Sequence, residues 1–196
     1  PRVSIIVPSR DGRVERLEAQ LRRQTFTDWE LIVNTHPSTP GHARNLGAAE
    51  ARGPWLVFFD DDVRFSDERV LAGLVAALES APAGSVLGVP CRVIPEATRF
   101  QRWIAGDPSG DGESEAGRGL QEVGWCDTVN GRCMAMHRDT FAAQGGFDPD
   151  LIAGEDPELV YRISRAGGKV LLLHTHWVYF SPPRTLRVLI KKTIWY

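Results

Sequence analysis

A chain of 196 residues, 42% hydrophobic and 24% charged, has the balance of one globular domain with enough apolar material for a core. Its net charge of -2 argues against bulk nucleic-acid binding, which needs a basic surface. Cys91, Cys126 and Cys133 are odd in number and widely spaced, so they make neither a metal-binding pair nor an oxidised framework. A reducing, cytoplasmic setting is expected. No run of about 18 apolar residues is present to span a bilayer. The chain starts without an apolar signal segment, and Pro1 marks a processed or cut piece.

Val3–Val7 is a β-branched run stopped by Pro8, and Arg13–Arg23 puts Val14, Leu17 and Leu21 on one helical face. Trp29–Val33 is a second strand. Thr39 before Pro40 is a helix start, with Ala43, Leu46 and Ala49 on a helix ending near Gly53. Trp55–Phe59 is a third, almost wholly apolar strand. Ser66 is expected to cap the next helix, with Asp67 and Glu68 in its first turn and Val70, Leu71, Leu74 and Leu78 inward. Ser85–Val93 reads as a fourth strand.

Gly106–Gly119, rich in glycine, serine and acids, reads as a loop. Helices are expected at Arg138–Ala143 and Pro157–Ala166, each ended by paired glycines, and Lys169–Phe180 reads as another strand. Apolar strands separated by amphipathic helices predict an α/β fold, a mostly parallel central sheet flanked by helices on both faces. Residues 1–183 form that domain. Residues 184–196 form a basic amphipathic helix, with Leu186, Leu189, Ile190 and Ile194 on one face, Arg187, Lys191 and Lys192 as cations, and Trp195 and Tyr196 at the end. This composition suits the boundary of an anionic membrane.

In open α/β sheets, ligands bind beyond the carboxyl ends of the strands. Three of these ends are polar: Pro8–Asp11, Asn34–His36 and Asp60–Asp62. The Asp60–Asp62 carboxylates repel one another, a repulsion that a divalent cation removes. In an extended segment, Asp60 and Asp62 face the same side. In Gly154-Glu155-Asp156-Pro157, Asp156 before Pro157 has the form of an N-cap, a structural role that is compatible with an ionised general base.

VSIIVPSR, QTFTDWELIV, ARNLGAAEARG, FFDDDV, GGFD and GEDPELVYRISRAGG, in this order across nearly the whole chain, resemble the family-two inverting glycosyltransferases of GT-A fold. The resemblance implies a Rossmann-like nucleotide-binding half and an acceptor-binding half. It implies inverting transfer of a sugar from a nucleotide-diphosphate-sugar to a glycan or lipid-linked acceptor, assisted by Mg or Mn.

Pro8, Ser9, Arg10 and Asp11 would border the nucleotide, joined by Thr35, Arg44, Asp60 and Asp61. Asp62, of the DxD motif, would meet the metal. Trp125, Asn130 and Gly131 would lie under sugar and acceptor. Asp156 would be the base, with Glu155 beside it.

Two departures stand out. Thr35 and His36 occupy the place where the family carries a base-holding aspartate. Phe180 falls where many relatives carry a metal-binding histidine, which makes nearby His176 a second candidate ligand. A catalytically silent sugar-nucleotide or glycan-binding module is the alternative, and a nucleotidyltransferase a further one. No GxGxxG follows the first strand to support a dehydrogenase.

Overall fold

A computed structural model describes residues 1–106 and 123–194, with side chains through residue 190. The elements run β1 (Val3–Pro8), α1 (Glu15–Leu21), β2 (Trp29–Asn34), α2 (Pro40–Glu50), β3 (Trp55–Phe59), β4 (Arg64–Phe65), α3 (Val70–Ser80), β5 (Val86–Gly88), β6 (Cys91–Val93) and α4 (Arg99–Ile104). Then follow β7 (Val123–Trp125), β8 (Cys133–His137), α5 (Arg138–Ala143), α6 (Glu155–Arg165), β9 (Val170–Leu173), β10 (Val178–Phe180) and α7 (Leu186–Ile194).

The expected α/β sheet flanked by helices forms, in the order β2-β1-β3-β8-β5-β9-β7, with a three-stranded sheet β4-β10-β6 beside it. Parallel order holds across β2-β1-β3 and between β5 and β9, while β8 runs antiparallel to both its neighbours and β7 runs antiparallel to β9. Because side chains alternate along a strand, β1 sends Val3, Ile5 and Val7 into one core with Leu17, Leu21, Leu71 and Leu74. Ile6 points to the opposite core, with Phe58, Met134, Phe147 and Leu159. Gly47 lets α2 lie directly on β1: a Cβ there would come within 2.6 Å of Ile6 Cγ2.

The long strands expected at Ser85–Val93 and Lys169–Phe180 each divide between the two sheets. Pro90, which has no N–H to give a ladder, separates β5 from β6 and accepts a bond from Val178 N. A turn through His174 and Thr175 separates β9 from β10.

Thr39 caps α2 as expected, its Oγ1 accepting from His42 N at 3.2 Å. Ser66 does not cap α3, which begins four residues later. Its hydroxyl donates to Asp67, whose other oxygen accepts from Arg69 N and folds a turn ahead of the helix. Nor is Asp156 an N-cap: Gly154, left-handed at φ 82°, fills that place, and Asp156 sits inside the first turn.

The glycine- and acid-rich stretch at 107–119 lies outside the described residues, as do Trp195 and Tyr196. The three cysteines are free. No helix among the described residues is long and apolar enough to cross a membrane.

Candidate active site

The carboxyl ends of β1, β2 and β3 open into a cleft of about 700 Å³. Pro8, Ser9, Arg10 and Asp11 line it from β1, Asn34 and His36 from β2, and Asp60, Asp61 and Asp62 from β3. The opposite wall is Ile152, Ala153, Gly154 and Glu155, leading into α6, and the starts of α2 and α6 both meet the cleft. The cleft lining carries Arg10 and Arg44 against Asp11, Asp60, Asp61, Asp62 and Glu155, an excess of carboxylates. Ser9 N donates to Asn34 O at 3.0 Å, closing β1 on β2. The buried Ser9 hydroxyl and Arg44 Nε have no hydrogen-bond partner among the described residues.

Arg44 is the hub. It is 3% exposed, its Nη1 donates to Glu155 Oε1 at 2.6 Å, and its Nη2 donates to Asp60 Oδ1 at 2.8 Å. The guanidinium also lies 5.5 Å from the centre of the Phe147 ring. Both terminal nitrogens therefore serve carboxylates. Arg44 lines the cleft, and its visible work is to join Asp60, after β3, to Glu155 at the start of α6. Glu155 is buried against that guanidinium as the partner of Arg44, and it also lines the cleft, which Asp156 does not.

Asp156 points elsewhere. Its Oδ2 accepts from Gly131 N at 2.8 Å, so the loop before β8 is tied to α6. Asn130 Oδ1 accepts from Arg132 N and holds that loop in a turn. A side chain at 131 would come within 3.2 Å of Arg44 Nη2 and 3.4 Å of Asp156. The predicted Asn130-Gly131 pair is thus brought to Asp156 and Arg44. Asp60 and Asp62 reach the cleft by another route than the extended one expected: Asp61 and Asp62 form a turn immediately after β3.

Three sequence-predicted positions lie apart. Trp125 is 66% exposed on edge strand β7, paired with Leu171 rather than at the strand ends facing the cleft, and its ring covers Lys169 Nζ at 4.8 Å. Thr35 turns its methyl toward Gly12, while Asn34 and His36 on either side line the cleft. His176 faces Asp67 at 3.1 Å and packs on Gly73 of α3, where a Cβ would come within 2.6 Å of its ring. It is absent from the cleft wall, and its position has a structural explanation. Partial burial pushes the Asp67 carboxyl up, but bonds from Arg69 N, His176 and Ser66 outweigh it and hold the group below its ordinary value.

Other residues at the site had no clear sequence signal. His42 faces His36 with ring centroids 5.7 Å apart, and Ile152 forms an exposed rim. Arg132 covers the Phe180 ring at 4.2 Å, so the place where relatives carry a histidine holds an aromatic under a guanidinium. Burial pushes the Cys91 thiol up to about 12; Asp60 and Asp156 add to the rise and Arg132 opposes it.

No group of three His, Cys, Asp or Glu side chains among the described residues forms a metal cage. Asp60 is engaged by Arg44, and Asp62 stands next to it on the cleft wall. That donor set fits a hard divalent cation bound through one or two carboxylates, with diphosphate oxygens and water completing the shell.

A parallel β-α-β half, the antiparallel β8 and an acidic turn at the end of β3 define the GT-A fold of glycosyltransferases. The mannosyltransferase PcManGT from Pyrobaculum calidifontis, in complex with GDP-Man and Mn2+, is similar with a TM-score of 0.68 and 19% identity, covering 95% of this chain and 58% of its own. GalNAc-T7, with UDP, GalNAc and Mn2+, is similar with a TM-score of 0.70 and 16% identity, covering 94% and 43%. At these identities the likeness is one of fold. The family model of glycosyl transferase family 2 matches residues 4–139. The chain belongs to glycosyl transferase family 2. The O-antigen biosynthesis protein RfbC of Myxococcus xanthus is 27% identical over 87% of this chain, which spans 16% of RfbC.

Proposed function

We propose that this chain transfers a sugar from a nucleotide-diphosphate-sugar to an acceptor hydroxyl with inversion, assisted by Mg or Mn. The observation that carries this reading is the Arg44 bridge, which fixes the acidic turn after β3 to the start of α6 and so sets Asp60–Asp62 and Asp156 in one frame.

Pro8, Ser9, Arg10 and Asp11 border the nucleotide, with Asp60 and Asp61 toward the ribose and diphosphate. The unsatisfied Ser9 hydroxyl suits a base or ribose oxygen. Asn34 and His36 line the stretch assigned to Thr35 and leave the choice of base open; the two solved relatives above carry different nucleotides. Asp62 would hold the divalent cation, which would supply Lewis-acid stabilisation of charge on the departing diphosphate. The N-termini of α2 and α6 add to that stabilisation through their N–H groups.

Asn130 and Gly131 border sugar and acceptor. Asp156 accepts the proton of the attacking hydroxyl. The Gly131 N–H bond orients its carboxylate. A glycan or lipid-linked acceptor at the cytoplasmic face of a membrane fits the basic C-terminal helix.

Asp156→Asn tests the reading. The amide keeps an oxygen to accept from Gly131, so folding and donor affinity should survive. Turnover should fall by roughly two to four orders of magnitude. Measuring melting temperature, donor affinity and turnover on one preparation separates chemistry from structure. A folded, donor-binding variant that transfers at near wild-type rate removes Asp156 from the mechanism.

A further inference from the structure

The described part of the C-terminal helix is largely exposed, with Leu189 half-buried. Residues 184–188 and 190 are all exposed, and Leu186 and Ile190, one helical turn apart, are 59% and 48% exposed. An apolar face left in water at this density needs a partner. A second such feature lies beside it. Helix α4 carries Trp103, 71% exposed, next to Phe100 with ring centroids 6.4 Å apart, and Arg99 is exposed on the same short helix.

The two helices are joined at their roots. Gln101, 1% exposed, donates from Nε2 to Pro182 O at 2.7 Å and lies 3.4 Å from Ser181 Oγ, just before α7 begins. Thr98 and Gln101 form a capping box that fixes the start of α4. Within the two segments the charge is of one sign, while Glu96, which flanks α4, is paired with Arg64. Residues 98–104 contain Arg99 and Arg102 and no acid, and 181–192 contain Arg184, Arg187, Lys191 and Lys192 and no acid.

We propose that α4 and α7 together form one docking surface for an anionic lipid bilayer, with Trp103, Leu186 and Ile190 inserting at the headgroup boundary and Arg99, Arg184 and Arg187 meeting lipid phosphates. Basic amphipathic helices with exposed aromatics bind such interfaces by apolar burial plus electrostatic attraction. Helix α7 follows β10, whose Phe180 lies under the Arg132 guanidinium. This deepens the membrane part of the proposed function and is independent of the sugar-transfer chemistry.

The test is co-sedimentation of the full chain with vesicles of phosphatidylcholine alone and of phosphatidylcholine mixed with phosphatidylglycerol. Retention on the mixed vesicles only, weakening as salt rises, is expected. Trp103→Ala and Ile190→Glu should each weaken retention about tenfold, the scale of one buried apolar side chain. Arg187→Glu should do the same at low salt.

Wild-type retention by Trp103→Ala, with loss in Ile190→Glu, overturns the two-helix surface. Equal retention on neutral vesicles overturns the electrostatic part. A dimer that Ile190→Glu dissociates, with no vesicle binding, assigns the face to a second copy and overturns the proposal. Titrating UDP and GDP with Mn on the same samples reports folding of the cleft. Vesicle binding without nucleotide binding counts against the transfer reading alone.

Discussion

Arg44 carries its positive charge almost wholly out of water, between one carboxylate from β3 and one from α6. Removing one member of a buried ionic group strands the others, at a cost of about 3–5 kcal/mol. Arg44→Met should therefore lower unfolding free energy by that amount in denaturant titration, with Arg44→Lys between it and wild type. A loss below about 0.5 kcal/mol, the range of ordinary surface substitutions, would show that the bridge contributes little. Glu30 offers a test by pH. Burial raises its carboxyl, but bonds from the Ser4 hydroxyl and from the Arg52 N–H and guanidinium outweigh this and hold it at about 2 against an ordinary 4.5. A depressed folded value stabilises above the unfolded one, so this contribution is present above about pH 4.5 and is lost as pH falls toward 2. Glu30→Gln should flatten the acid limb of a stability profile, and an unchanged limb would reject the role. The Asp60–Asp62 triplet stood out in the sequence because three successive carboxylates after an apolar strand repel one another, and all three line the cleft. The bridge was not legible, since Arg44 meets partners 16 and 111 residues away and one sequence pairs no such groups.

At the scale of elements, buried strands announced themselves as β-branched and apolar runs, and Thr39-Pro40 announced the start of α2. The sheet switches were hidden because an apolar run reads alike whichever sheet receives it. Pro90 was the available signal, being unable to continue a ladder. Asp156 misled for a related reason: Asp-Pro has the form of a cap, yet Gly154 can adopt the left-handed backbone that starts the helix earlier. Close packing makes Gly47 a sharp test of α2 on β1. Alanine gains helix propensity of up to about 1 kcal/mol over glycine. Its Cβ would nonetheless stand 2.6 Å from Ile6 Cγ2, and overpacking costs about 1–3 kcal/mol. Gly47→Ala should thus be net destabilising, read as a lower melting temperature. A variant of raised stability would mean that α2 shifts without strain.

At the scale of the whole molecule, the proposed function expects the acid-lined cleft to bind a diphosphate and a divalent cation better together than singly. In calorimetry, Mn should bind weakly alone, and nucleotide diphosphate should bind tightly only with Mn. Asp62→Ala should remove that dependence. Equal nucleotide affinity in EDTA would reject the metal role. The sheet has a separate consequence for synthesis. Strands β3 and β5 touch only through β8, residues 133–137, which is inserted antiparallel between them long after both have left the ribosome. Until then the Trp55–Phe59 edge has unpaired backbone on a nearly all-apolar strand, the form of edge that recruits other chains. A nascent chain halted before Cys133 is therefore an aggregation hazard rather than a half-built domain, and slow translation through 107–132 would prolong it. Chains truncated at 125 should pellet on expression where chains reaching 180 stay in solution.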